Sequence, residues 1–149
     1  MDDPRDQMQA ALKEAMRNKD TVRRDVLRMT LNAVKQEEID KQTDLSAEDV
    51  VTVLQREVKK RRDSVEEAKN SGRDDLADQE AEQLAVLESF LPQQLSREEI
   101  VALVQSAIAE AGAESPKDMG KVMGVLMPKV KGVADGKLVN EVVREQLSS

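Results

Sequence analysis

Histidine, cysteine, tryptophan and tyrosine are absent from this 149-residue chain, and phenylalanine occurs once, at position 90. Without cysteine there is no disulfide frame, thiol nucleophile or thiolate metal site. Without histidine, the commonest general base and the commonest transition-metal ligand are gone as well. No apolar run approaches the roughly 20 residues of a membrane-spanning helix. The start, Met1-Asp2-Asp3-Pro4, is acidic where a signal peptide would be basic and then apolar. These absences lead us to expect a soluble, cytoplasmic protein with no membrane partner, metal or cofactor.

What remains is helix-forming material. The apolar set is 39% and the charged set 36% of the chain, so the core must be built from Leu, Val, Ala, Ile and Met. Low aromatic content with abundant Glu, Gln, Lys, Arg and Ala favours helices over sheets. No run alternates with period two long enough to make a strand, and no internal repeat is evident. The expected fold class is all-α.

The net charge is −7, which argues against a general polyanion binder. The charge is uneven, however. Residues 1–91 carry 16 basic and 22 acidic side chains, and residues 92–149 carry 7 and 8. Within 117–137 there are five Lys against two Asp.

Capping signals divide the chain into helices. Asp3-Pro4 reads as an N-cap followed by proline at the first helical position, and Met8, Ala11, Leu12, Ala15 and Met16 follow at helical spacing. Asn18-Lys19-Asp20 is a turn whose Asp20 can cap a second helix. That helix bears Val22, Val26, Met29, Thr30 and Ala33, with Leu27, Leu31 and Val34 widening its apolar arc. Ser46, with Asp49 three residues on, caps a long third helix over roughly 47–71. Its stripe is Ala47, Val50, Val51, Leu54, Val58, Val65 and Ala68, and Gly72 closes it. A fourth helix starts at Asp74 or Asp75, carries Leu76, Ala77, Ala81, Leu84 and Leu87, and stops at Phe90-Leu91-Pro92.

Leu91-Pro92-Gln93-Gln94-Leu95 is the expected boundary between domains 1–91 and 92–149. Ser96-Arg97-Glu98-Glu99 is a capping box. It opens a helix with Ile100, Val101, Leu103, Val104, Ala107 and Ile108, which Gly112 ends. Ser115-Pro116 opens the next, with Met119, Val122, Met123, Leu126 and Met127 inside and Pro128 as the expected stop. Lys129 to Asp135 reads as a loop. Asp135 or a neighbour caps a last helix with Leu138, Val139, Val142, Val143 and Leu147. The expectation is four helices, a hinge and three more.

Three features could carry function. Arg56, Lys59 and Lys60 share the outer face of the third helix, a pattern more often solvating than binding. Arg61 falls between Val58 and Val65 on the apolar side, where a guanidinium needs a carboxylate, and Glu37 is the expected partner. Gly120 and Gly124 sit four apart on one helix face, at a cost of about 1 kcal/mol each relative to Ala in a helix interior. Either a neighbouring helix packs closely there, the default reading, or a ligand backbone approaches between Lys117, Lys121, Lys129 and Lys131. The segment Lys131-Gly132-Val133-Ala134-Asp135-Gly136-Lys137 places lysines and glycines at a helix start, which attracts anions. Asp135 at the cap opposes that, so an ordinary tight turn also fits. No catalytic constellation is present: there is no phosphate-binding glycine loop and no Ser or Thr with a His partner.

Taken in order, the motifs resemble those of the GatB/YqeY family. The run Met119-Gly120-Lys121-Val122-Met123-Gly124-Val125-Leu126-Met127-Pro128, then Lys131-Gly132, Ala134-Asp135-Gly136 and Val139-Asn140, is similar to the YqeY-type tail. That tail also closes the B subunit of the tRNA-dependent amidotransferases. Gly72-Arg73-Asp74-Asp75-Leu76, Leu91-Pro92-Gln93-Gln94-Leu95, Arg28-Met29, Ala33-Val34-Lys35 and Leu54-Gln55-Arg56-Glu57-Val58-Lys59 extend the likeness over nearly the whole chain. Phe90 stands where relatives often have Tyr, and Val133 where a basic residue is common.

The resemblance implies a multihelical N-terminal bundle followed by a small three-helix C-terminal module. It also implies a link to transamidation, the conversion of misacylated Glu- or Asp-tRNA to its amide, and a carbon–nitrogen ligase label with glutamine as amido donor. In the amidotransferase that chemistry lies in domains too large to fit in this chain, and the tail helps hold tRNA. The expected role is therefore a non-catalytic module contacting tRNA, or amidotransferase or aminoacyl-tRNA machinery. Its candidate RNA-binding residues are Lys117, Gly120, Lys121, Gly124, Lys129, Lys131, Gly132 and Lys137, with no catalytic residue assigned. The alternatives are an adaptor that binds protein through the acidic residues 1–91, or an accessory factor of an amidotransferase.

Overall fold

The computed structural model describes residues 3–148, and among them the regular structure is entirely helical. Seven α-helices follow in order: α1 (Pro4–Arg17), α2 (Thr21–Lys41), α3 (Ala47–Asn70), α4 (Asp74–Glu88), α5 (Arg97–Ala111), α6 (Met119–Val130) and α7 (Gly136–Ser148). A single 3-10 turn, Pro116–Asp118, precedes α6. The chain forms two compact units, Met1–Leu91 and Pro92–Ser149. No described helix is long and apolar enough to cross a membrane.

Local chemistry sets most of the helix ends. The side chains of Asp3, Asp20, Ser46 and Ser96 each accept a backbone N–H from the first turn of α1, α2, α3 and α5. At Ser46 the box is reciprocal: Asp49 Oδ2 also accepts the Ser46 N–H at 3.3 Å. Gly72 and Gly112 take the left-handed conformation after α3 and α5, with φ of 72° and 65°. Lys19 and Gln42 do the same after α1 and α2, at φ 57° and 54°, although they carry side chains.

In the first unit, α3 packs along α4 and α1 along α2, and α2 also meets α3 and α4. The core gathers Met8, Val26, Leu27, Val34, Leu45, Val50, Val53, Leu54, Val58 and Leu87. The buried stripe of α2 runs through Val26, Leu27, Thr30 and Val34, while Met29 lies half exposed. Val53, missing from the expected stripe of α3, is buried because that helix meets neighbours on more than one side. Buried Thr30 satisfies its hydroxyl locally, donating to the Val26 carbonyl at 2.8 Å.

Arg5 and Glu38 tie the α2–α3 loop to the rest of this unit. Glu38 Oε2 accepts the Leu45 N–H at 2.9 Å and the Arg5 guanidinium at 3.1 Å, and Arg5 also donates to the Leu45 carbonyl at 2.9 Å. The Leu45 amide, with the Arg5 charge beside it, holds the Glu38 carboxyl below the usual glutamate range.

The expected Arg61–Glu37 pair is not formed. Arg61 instead reaches α4, hydrogen-bonding Gln83 and lying 3.7 Å from Glu80, and it touches the Met29 sulfur at 3.2 Å. Glu37 is taken by Arg56 and Lys41, each at 3.1 Å. Those two cations lower its carboxyl pKa, with Lys41 the larger influence. The α3–α4 contact is the most extensive in this unit, and α4 supplies the oxygen acceptors of Arg61, while α2 offers it Met29 in place of Glu37. Arg56, expected among solvated neighbours on its own helix, in fact crosses to α2.

In the second unit, α5 lies against both α6 and α7. Ile100, Val104 and Ala107 of α5 pack with Val122, Leu126 and Val130 of α6 and with Val139, Val142, Val143 and Leu147 of α7. The segment leading into α5 is pinned to the α6–α7 turn: Leu95 N–H donates to the Val133 carbonyl at 2.7 Å, and Gln94 Nε2 to the Gly132 carbonyl at 3.1 Å.

Two boundaries here differ from expectation. Pro116 opens a 3-10 turn and the α-helix itself begins at Met119. Pro128 does not stop α6, which continues through Lys129 to Val130. Proline cannot donate to the carbonyl four residues back, that of Gly124, and its ring crowds that carbonyl. Pro128 is tolerated because it sits third from the helix end, and the Lys131 N–H still reaches the Met127 carbonyl at 3.0 Å. Lys129 is accordingly helical, not part of a loop.

Candidate functional site

The structure separates the candidate residues of the second unit into three groups. At about 100° per residue, Gly120, Lys121, Gly124, Met127 and Pro128 fall within one arc of α6, and all five are exposed. Val122, Leu126 and Val130 occupy the opposite, buried side. Lys117 lies exposed in the 3-10 turn just before this face, and Lys131, also exposed, is the C-cap just after it.

The glycines make this face unusual. A Cβ placed on Gly120 or Gly124 would meet nothing within 4 Å. The default reading, close packing of a neighbouring helix, is thereby overturned. Neither glycine needs left-handed backbone, since neither has positive φ. They leave the α6 backbone open to whatever approaches from outside. Met127, expected in the core with Met119 and Met123, is 39% exposed and belongs to the same face. Its angular position beside Gly120 was the sequence signal that could have shown this.

Lys121 lies 3.8 Å from Asp118, a loose pair with the lysine well exposed. The Glu114 amide donates to Asp118 at 2.9 Å and is the main cause of its lowered pKa, with Lys121 a lesser one. Asp118 is thus committed chiefly to fixing the turn before α6.

Lys129 forms the second group. It sits on the flank of α6 toward α5 and pairs with Glu110 at 3.2 Å. The third group is the α6–α7 turn. Gly132 is buried with φ 83° and its carbonyl is taken by Gln94, so its role is to make the turn. Asp135 Oδ1 accepts the Lys137 N–H at 3.2 Å, placing a carboxylate at the start of α7. Lys137 itself is exposed in the first turn of that helix. Among the described residues, no group of three or more carboxylates is placed to hold a metal ion.

Comparison with known proteins places this arrangement in a family. Residues 5–147 match the family described as Yqey-like protein. The protein named "Altered inheritance of mitochondria protein 41, mitochondrial" from Pyrenophora tritici-repentis is 32% identical over 147 residues, covering 93% of this chain and 77% of its own length. The protein of the same name from Kluyveromyces lactis is 34% identical over 109 residues, 70% of this chain and 58% of its own. A shorter likeness, 39% over 59 residues, joins 36% of this chain to 9% of the E subunit of the glutamyl-tRNA(Gln) amidotransferase from Methanospirillum hungatei. With the family matched along almost its entire length, the chain belongs to the Yqey-like proteins.

Proposed function

We propose that this protein is a non-catalytic RNA-contact module, and that the exposed glycine face of α6 lies against the phosphodiester backbone of tRNA. One observation carries the reading: two helical glycines with open space over them, on a face bordered by Lys117, Lys121 and Lys131. Glycine at such positions costs helix stability, and nothing within the unit draws on the space it leaves. A polyanion backbone would use both the bare helix surface and the lysines. Recognition by shape and phosphate also needs no aromatic stacking, which suits a chain with a single phenylalanine.

The amidotransferase relative has tRNA in its name, which supports tRNA as the RNA and tRNA-dependent amidation as the setting. In the same reading the first unit is a helical bundle, the second a three-helix tail module, and the protein works in the cytoplasm. The relatives from Pyrenophora tritici-repentis and Kluyveromyces lactis carry a mitochondrial name, so fractionation of tagged protein is the check on compartment.

The test is a titration of the full chain with tRNA across a salt series. Binding should weaken with salt, and replacing Lys117, Lys121 and Lys131 together should reduce the log–log slope by roughly 1 for each lysine that had neutralised a phosphate. Lys129→Ala should change the slope less, because Lys129 lies on the flank of α6 toward α5 and outside the arc of Gly120 and Gly124. No binding at low salt would end this proposal. Pull-down of a stoichiometric protein partner that survives nuclease would favour an adaptor role for the acidic first unit instead.

A further inference from the structure

The first unit is acidic overall, yet residues 16–28 hold five basic side chains, Arg17, Lys19, Arg23, Arg24 and Arg28, against Asp20 and Asp25. Three of the five line one cleft at the α1–α2 corner. Its walls are Ala15, Met16, Lys19, Thr21, Arg24 and Arg28, and its volume is about 380 Å³. Asp25 Oδ1 engages only the Nε of Arg24, at 2.9 Å. Arg28 directs one guanidinium nitrogen at the Met16 sulfur, 3.8 Å away, an acceptor that neutralises no charge. Met16 itself is 50% exposed, an apolar surface within a cationic rim.

The backbone supplies a second observation. The end of α1 closes with the Asp20 N–H on the Ala15 carbonyl at 2.9 Å and the Lys19 N–H on Met16 at 3.4 Å. That closure puts Lys19 at the left-handed position, where glycine is favoured. At the same position after α3 and α5 this chain does use glycine, at Gly72 and Gly112. Lys19 therefore holds a left-handed backbone at the wall of the cleft. Gln42 shares the conformation after α2 and also lines a cleft, but one that sets Lys35 against Glu38 and Asp44, so strain beside a cleft does not by itself mark an anion site. At Lys19 the left-handed backbone coincides with a cleft lined by three cations.

We infer that this corner binds a phosphate-bearing nucleotide, with Lys19, Arg24 and Arg28 on the phosphate and Met16 against the base or sugar. Three cations suit a dianionic phosphate better than a single carboxylate, and guanidinium forks match phosphate oxygens. With no aromatic side chain in the cleft, the half-exposed Met16 is the apolar surface available to a base. The nucleotide is either free or the phosphorylated end of an RNA strand. The site lies in the first unit and does not depend on the reading of α6.

Full-length protein labelled at its methionine methyl groups provides the assay, titrated at low salt with inorganic phosphate, AMP and a 5′-phosphorylated RNA oligonucleotide. AMP should move the Met16 resonance saturably while Met127 stays in place, and phosphate should do the same more weakly. A shift at Met16 with the oligonucleotide but not with AMP would identify the strand end as the ligand. Arg24→Gln with Arg28→Gln should weaken binding by about tenfold or more. Lys19→Gly should raise the melting temperature by a few degrees and still weaken binding. Gln42→Gly should raise it without touching binding. If no probe moves Met16, or if its shift survives the arginine replacements, the cleft is not a nucleotide site. A Lys19→Gly protein that binds like the parent would break the link between the strained backbone and the ligand.

Discussion

Replacing Gly120 and Gly124 by alanine tests the reading of α6 most directly. At both positions an added Cβ meets nothing within 4 Å, so the substitutions introduce no clash. The change is then dominated by helix propensity and by the lower entropy of the unfolded chain. Gly124 is inside the helix, where alanine is favoured by about 1 kcal/mol. Gly120 is the second residue of α6, where an end position draws a smaller gain. The pair should stabilise the second unit by about 1–1.5 kcal/mol. For a unit of this size each kcal/mol corresponds to a melting shift of about 4–8 °C. Methionine-methyl spectra separate the two units during a melt, since Met119 and Met123 pack in the second and Met8 in the first. Lost stability would refute the claim that the space over these glycines is open. The same variant carries the functional question: it should bind tRNA more weakly while melting higher, because the new methyl groups occupy the surface the RNA approaches. A variant that melts higher and binds tRNA as tightly as the parent would remove the glycines from the interface.

Other changes test the first unit. Arg61 is only 14% exposed at its side chain and serves Gln83, Glu80 and Met29 together. Arg61→Ala should lower stability by about 1–3 kcal/mol in urea unfolding, and Glu37→Ala should leave the surroundings of Arg61 unchanged in NMR spectra. An equal response of Arg61 to loss of Glu37 would restore the partner expected from sequence. Glu38 has a depressed pKa in the folded state because it accepts the Leu45 amide and the Arg5 charge. Its contribution is thus fully present above the ordinary glutamate pKa and is lost as pH falls through the lower, folded value. Glu38→Gln should flatten the acid limb of the first unit's stability profile, and an unchanged limb would show that the Leu45 contact does not depend on the charge.

Much of the fold was written in local chemistry. Asp3, Asp20, Ser46 and Ser96 could be identified as caps because capping needs only a side-chain oxygen and amides two or three residues away. Gly72 and Gly112 were readable as stops for the same reason, since left-handed backbone after a helix favours glycine. The buried sides of α3, α5 and α7 followed from helical spacing. The run of lysines around Gly120 and Gly124 was visible as well, and with it the family likeness that residues 5–147 bear out.

Tertiary structure decided what depends on partners distant along the chain. Arg61 was plainly in need of an acceptor, but spacing could not tell that its oxygen partners would come from α4 and not from Glu37 of α2. Pro128 looked like a stop, and only the position of the last turn let the helix run past it. Whether Gly120 and Gly124 met another helix or open space depended on where α5 and α7 came to lie, and they lie on the other side. The cleft at Lys19 joins the end of one helix to the side of the next, and it exists only once α1 and α2 fold together. A sequence carries its short-range hydrogen-bonding geometry in plain view. Which surfaces stay bare is settled by how the helices share the limited apolar area, and that is a property of the packed chain.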